Sequence, residues 1–233
     1  MIRSILTIAM IGAVITLWSC ASRQQVDSKA AAQLPPLEIL KIPEGAKAKT
    51  TYFTKLVLNL PPGSRYGADG LGVLCMDKQP MYWGDRPVVL AEDDIRAVFN
   101  TVMSTGQYPV YGRADVLFED PSQTDLVAAG LVKQANVEVC KNTNVLGSLL
   151  MPMAGSTASI TGKATITVDW QILSRREGKV VFETTTKGIL NEDVQRTTLR
   201  QIFIAAFAKA VERLIADKAF FELVTAPQNQ TRS

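Results

Sequence analysis

Between Gly162 and Gly188 the chain alternates in character: Ala164, Ile166, Val168, Trp170 and Ile172 are apolar, and Thr165, Thr167, Asp169 and Gln171 between them are polar. A period of two sends successive side chains to opposite faces of a strand, so the stretch reads as a half-buried sheet. Arg175-Arg176-Glu177-Gly178 separates Gly162–Ser174 from Lys179–Gly188 and predicts the turn of a hairpin. A sheet with one wet face needs cover on the other, and the chain supplies amphipathic helices for it. Ala91 to Thr105 carries Ile95, Val98, Phe99, Val102 and Met103 at helical spacing, with Glu92, Asp93 and Asp94 in its first turn and Gly106 beyond its end. From Asp193 to Asp217, Leu199, Ile202, Phe203, Ala206, Phe207, Ala210 and Leu214 form a second apolar stripe.

Further strands are expected at Thr51–Leu60, which ends on Pro61-Pro62-Gly63, at Leu71–Cys75, at Pro109–Tyr111 and at Leu126–Cys140. The expected fold is α+β: a mainly antiparallel sheet of four to six strands with two helices packed on one face. A chain of 233 residues that is 47% hydrophobic and 20% charged can bury a sizeable core. Its net charge of +3 is too small for a nucleic-acid footprint, so no nucleic-acid partner is expected. The histidine count is zero, which excludes Ser-His-Asp and Cys-His nucleophiles and every His-ligated metal.

The first residues read MIRSILTIAMIGAVITLWSC, with a positive Arg3 ahead of an apolar run from Ile5 to Leu17. Such a run has signal-peptide length and falls short of the roughly 20 apolar residues of a spanning helix. Leu17-Trp18-Ser19-Cys20 resembles a bacterial lipobox, in which Leu and a small residue precede an invariant Cys. Trp18 departs from the motif, where a small or β-branched residue is usual. The resemblance implies cleavage before Cys20 and its acylation, palmitate included. It implies an anchor on the periplasmic face of the outer membrane of a Gram-negative bacterium, since Ala21 is not the Asp that marks inner-membrane retention. The other reading is plain secretion, with cleavage after Ser19-Cys20-Ala21 and loss of Cys20.

The expected organisation is a signal peptide at 1–19, a lipidated Cys and flexible tether at 20–48, one periplasmic domain at 49–225 and a disordered tail at 226–233. The tether reading rests on Ser, Gln, an Ala triplet and Pro35-Pro36 without a sustained period. Export leaves Cys75 and Cys140 as an even pair in an oxidising compartment. A bridge between them would close a loop of about 66 residues and stabilise by about 4 kcal/mol. The alternative is two buried free thiols. Neither cysteine sits in a CxxC motif that would support a zinc or redox centre.

Asp115, Glu119, Asp120 and Asp125 cluster in one loop, a pattern open to calcium binding, to carboxylate hydrolysis or to a solvated turn at Pro121. Arg175-Arg176 either guards a strand end or meets phosphate headgroups. Gly67 to Gly72 and Gly147 to Gly162 match neither a P-loop nor a dinucleotide fingerprint. Lys141 to Ser159 is long for a hairpin loop and rich in large apolar groups: Leu146, Leu149, Leu150, Met151 and Met153. These residues either cap the core or offer an adaptable surface to a partner or membrane. Tyr82 and Trp83, near Pro80 and Pro87, pose the same choice. No catalytic residue, metal or cofactor is expected.

The runs ADVLFEDPSQTDLVAAGLVKQANVEVC, GKATITVDWQILSRREGKVVFETTTKG and FIAAFAKAVERLIADKAFFELV resemble a periplasmic domain of Gram-negative bacteria that stands in front of a trypsin-like serine protease domain. They are also similar to small α+β domains of outer-membrane lipoproteins that assist envelope machines. The resemblance covers Val110 to Val224 and implies the accessory domain alone, with no catalytic residues carried over. The expected role is a non-catalytic binding or assembly module for an unidentified envelope protein. The alternatives are a lipid-transport accessory subunit or a carboxylate-based envelope hydrolase.

Overall fold

In the computed structural model, residues 37–71, 75, 77–85, 90–112, 121–142, 159–191 and 198–226 are described. The alternating stretch forms the expected hairpin, from two long strands. In chain order the strands are β1 (Thr51–Leu58), β2 (Arg65–Leu71), β3 (Asp77–Tyr82), β4 (Leu126–Asn142), β5 (Ser159–Ser174) and β6 (Lys179–Leu190). The helices are α1 (Glu92–Thr105), α2 (Leu199–Ile215) and α3 (Lys218–Thr225). The fold is α+β, as expected, and the six strands form one sheet in the order β3-β2-β4-β5-β6, with β1 also paired to β4.

The sheet is mostly antiparallel but mixed. β1 runs parallel to the first half of β4, from Thr51 opposite Leu126 to Leu58 opposite Val132. β2 runs parallel to its second half, from Gly67 opposite Val137 to Leu71 opposite Lys141. One edge of β4 therefore serves two strands laid end to end, while β5 pairs along the whole of the other edge. Parallel neighbours need a long crossover, and the chain between β1 and β4 includes α1.

The core lies between the sheet and the helices. Phe53 stacks on Phe99 of α1 with ring centroids 4.7 Å apart, and Phe207 of α2 lies 5.9 Å from both Phe53 and Trp170. Trp170 fits because its partner across the strands is Gly130, where a Cβ would press on Leu56, Val168 and the indole. The indole N–H donates to Thr186 Oγ1 at 2.7 Å, and that hydroxyl donates to the Ala210 carbonyl at 2.9 Å. Both buried polar groups are thus satisfied. Gly188 lets α2 lie directly on β6, since a Cβ there would collide with the Ala206 carbonyl. Tyr108 donates to the Ile215 carbonyl at 3.1 Å, and burial, assisted by the negative charge of Asp217, pushes its phenol up to about 12.

Three expectations are corrected. The tether does not extend to 48: Ile42 is 4% exposed and its N–H bonds the Gly106 carbonyl, while Lys49 N–H bonds that of Val224. Ile39, Ile42 and Ala48 pack on the core, so this stretch belongs to the domain. The helix expected over 193–217 begins at Leu199, capped reciprocally by Thr198 and Gln201, with 192–197 outside the described residues. It ends before Asp217, whose carboxylate accepts from Ala219 and Phe220 N–H and starts α3, making three helices rather than two. Of the strand expected at Leu71–Cys75, Leu71 closes β2 and Cys75 adopts φ 49°, with 72–74 outside the described residues. Pro109–Tyr111 contributes only one parallel bridge, Val110 to Thr51. Among the described residues no helix is long and apolar enough to cross a membrane.

Two substitutions test this packing. Gly188→Ala should lower stability by about 3 kcal/mol, because the added methyl meets helix backbone that has nowhere to shift. Thr51 is fully buried, and its Oγ1 has no hydrogen-bond partner among the described residues. Thr51→Val keeps the shape and removes an unsatisfied hydroxyl, so it should stabilise by about 1 kcal/mol. Denaturant titration reads both.

Candidate functional site

The helices occupy one face of the sheet, and the other is open to solvent across β1, β4, β5 and β6. Register aligns its side chains in rows. One row is Lys55, Ala129, Gln171 and Glu183; the next is Val57, Leu131, Asp169 and Thr185. The small Ala129 at the centre leaves a hollow of about 530 Å³, floored by Val57, Ala129 and Leu131 and rimmed by Lys55, Lys133, Asp169, Gln171, Glu183 and Thr185. Val57 is 40% exposed, so part of that apolar floor faces water.

The polar rim is tied together. Lys133 pairs with Asp169, which also accepts from the Thr185 hydroxyl at 2.8 Å. The Lys133 ammonium holds the Asp169 carboxyl below the usual carboxylate range; partial burial opposes this and the Thr185 hydroxyl assists it. Gln171 donates to Glu183 at 2.8 Å. An acid so held is ionised at neutral pH and does not deliver a proton. The face thus presents paired donors and acceptors around an apolar floor. A second hollow, of about 880 Å³, lies between Ile42–Lys49, Gln107, Pro109 and the end of α3. Of its two lysines, Lys47 and Lys49, Lys49 is turned inward to the Leu223 carbonyl at 3.0 Å.

At one end of the sheet Cys75 and Cys140 form a disulfide, with Cα atoms 5.7 Å apart. Gly70 lies opposite Cys140, and a Cβ on it would sit 3.2 Å from Cys75 Cβ, so glycine makes room for the bridge. Lys78 pairs with Glu138 at 2.9 Å and Lys141 with Asp69 at 2.8 Å beside it. Tyr82, at the end of β3, is 41% exposed, whereas Trp83 is half-buried with its ring edge-on to Tyr66 at 6.0 Å. The two residues are therefore split between surface and core.

Asp125 is placed as a joint: its carboxylate accepts from Thr50 N–H at 2.9 Å and its carbonyl accepts from Arg175 N–H at 3.0 Å. Arg175 Nε donates to Thr124 Oγ1 at 2.9 Å, which fastens the hairpin tip to the start of β4. Cys20, Asp115, Glu119, Asp120, Leu146, Leu149, Leu150, Met151 and Met153 lie outside the described residues. Among the described residues no three His, Cys, Asp or Glu side chains come together as a metal site. Sequence reasoning singled out neither Lys55, Lys133, Glu183 nor Thr185. The polar half of the β5 alternation was visible, and Glu183 and Thr185, 12 and 16 positions on, follow from the expected hairpin once its register is known, whereas Lys55 and Lys133 are brought in by strands some forty to seventy-five positions away.

No family model matches the chain, and no curated protein matches it significantly. Among solved structures, it is similar to a DUF330 protein from Xanthomonas campestris, 15% identical over 82% of this chain and 93% of that one, with a TM-score of 0.38. It is also similar to PelC from Paraburkholderia phytofirmans, a dodecamer, at 14% identity over 74% and 92% with a TM-score of 0.32. A minor lipoprotein from Acinetobacter baumannii is 14% identical over 70% and 91%, with a TM-score of 0.27. These three show no link to a trypsin-like protease, and at such scores they assign this chain no ligand or activity.

The Lys133–Asp169 pair has a pH signature. A carboxyl depressed in the folded state contributes stability above its unfolded value of about 4, and the contribution is lost as pH falls through the lower folded value. Asp169→Asn should therefore be less stable than the parent near neutrality, and the difference should close in acid. Urea titrations between pH 7 and pH 2 measure it, and Lys133→Met should flatten the dependence.

Proposed function

We propose that this chain is an outer-membrane-anchored periplasmic lipoprotein whose α+β domain is a non-catalytic binding or assembly module for another envelope component. The observation that carries the binding role is the open sheet face, where Lys133, Asp169, Gln171 and Glu183 hold one another in place around an apolar floor. Groups locked in this way suit selection of a partner rather than proton transfer. The Cys75–Cys140 bridge supports an oxidising compartment, and Leu17-Trp18-Ser19-Cys20 supports acylation at Cys20. The Ala at position 21 favours the outer membrane over the inner.

Two variants test the two halves of the reading. Cys20→Ala should move the protein from the membrane fraction to the soluble periplasm and remove the acyl mass from its N-terminus. A mature parent chain that starts at Ser22 without acyl groups would refute the anchor. Val57→Asp places a charge on the apolar floor without touching the core; capture of envelope protein through this face should weaken at least about tenfold while anchorage persists. If Asp115, Glu119, Asp120 and Asp125 are changed together to Asn or Gln, partner capture should survive. Loss of the cellular process with capture intact would instead mark an enzyme.

A further inference from the structure

The β2–β3 hairpin joins the rest of the sheet through a short ladder at one end of β4. Its parallel register with β4 runs from Gly67–Val137 to Leu71–Lys141, a span of five residues. β3 is the outermost strand on that side, and all its residues except Met81 are exposed. Three side-chain ties cross this same short ladder: Cys75–Cys140, Lys78–Glu138 and Asp69–Lys141. They all end on β4 between residues 138 and 141. The covalent tie differs from the ionic ones in two ways. Cys75 and Cys140 are only half-buried, so a reductant can approach them. And Cys75 stands at φ 49°, a backbone region that L residues other than Asn and Asp rarely adopt.

We propose that the Cys75–Cys140 bridge is a reversible latch that holds the β2–β3 hairpin, and the Tyr82–Trp83 corner it carries, against β4. A thioredoxin-type dithiol attacks one sulfur, forms a mixed disulfide and releases the other cysteine as a thiolate. Its second thiol then resolves the mixed disulfide. Two electrons and two protons pass to Cys75 and Cys140, and the dithiol leaves as its own disulfide. Reduction frees Cys75 from its left-handed backbone and leaves the hairpin without a covalent tie to β4, held by five-residue pairing, the buried Tyr66, Ala68 and Met81, and the Lys78–Glu138 and Asp69–Lys141 ion pairs. The rest of the sheet is unaffected, because β4 keeps β5 along its whole length and β1 along its first half. The latch rests on the binding-module reading only in giving Tyr82 and Trp83 a use; its mechanics stand apart from it.

Hydrogen exchange by mass spectrometry on the full chain tests the latch. The chain is compared oxidised, reduced with a thioredoxin-type dithiol, and as the Cys75→Ser/Cys140→Ser double variant. Exchange should quicken at least about tenfold more over Arg65–Leu71 and Asp77–Trp83 than in β5, β6 and α2, whose amides change only by the common factor of a less stable fold, and should return to its first value on reoxidation. Exchange that quickens by the same factor across the entire sheet, hairpin included, would overturn the proposal and make the bridge a global staple only. Unchanged exchange over the hairpin would overturn it too, as would a bridge that yields to the dithiol only in denaturant. None of these outcomes depends on Cys20 or on capture of a partner, so a failed latch and a failed binding module are told apart.

Discussion

β4 is the strand against which the other parts of this domain are placed. It is 17 residues long, and its two edges have different tasks. One edge carries β5 throughout; the other is divided between β1 and β2, both parallel to it. The division coincides with a shift in register between Val132 and Gln134, at Lys133. A bulge of this kind adds local twist, which lets one strand meet two partners that do not lie in a single line. β1 is closed off at the same place, by the bond from Asn59 N–H to the Val132 carbonyl at 3.0 Å. The small inward residues Ala128 and Gly130 give β4 its second property, a shallow trough in which Trp170 and the rings around it can be packed.

Those rings decide where the helices go. Phe99 brings α1 down on Phe53, and Phe207 and Ala206 bring α2 down on Trp170 and Gly188. Close approach at Gly188 lets the Thr186 hydroxyl reach the Ala210 carbonyl, so the polar groups drawn into the core arrive with partners. Tyr108 repeats the pattern at the far end of α2 through its bond to Ile215. The donors of Trp170, Thr186 and Tyr108 are each placed by the same contact that buries them, so these three do not carry the cost of an unpaired polar group.

Local patterns were legible in the sequence, and distant pairings were not. The β5–β6 hairpin and α1 were readable because period and caps are properties of neighbouring residues: Trp170 lies two positions from Ile172, and Gly106 stops a stripe that begins at Ile95. That β1 and β2 share one edge of β4 in parallel is set by contacts across the sheet, such as Phe53 opposite Ala128, for which no local signal exists. Ile42 occupies a core position although its short apolar neighbourhood, with Leu37, Ile39 and Leu40, follows Pro35-Pro36 and has no sustained period to mark it as part of an element. Asp217 inside an otherwise helical run was a stop signal, but its capping of Ala219 and Phe220 shows only in three dimensions. The open face divides in the same way. Asp169 and Gln171 were visible as the polar side of β5, while Lys55 and Glu183 join them only through register.

That open face has to meet two opposed physical demands. Val57 and Leu131 leave apolar surface at its centre, and a bare apolar sheet face attracts any other such face. Charged residues around the apolar floor raise the cost of covering it, because a partner without matching groups strands Lys55, Lys133 and Glu183 in a drier medium. The ties among Asp169, Lys133, Thr185, Gln171 and Glu183 add to this modestly, since a poor fit must also break exposed pairs, each of small worth in water. The same polar frame therefore disfavours indiscriminate association and, on the proposed binding role, would favour a matched partner. A partner that brings its own donors and acceptors in register with the strand rows gains the apolar contact without that cost, and one that does not is excluded.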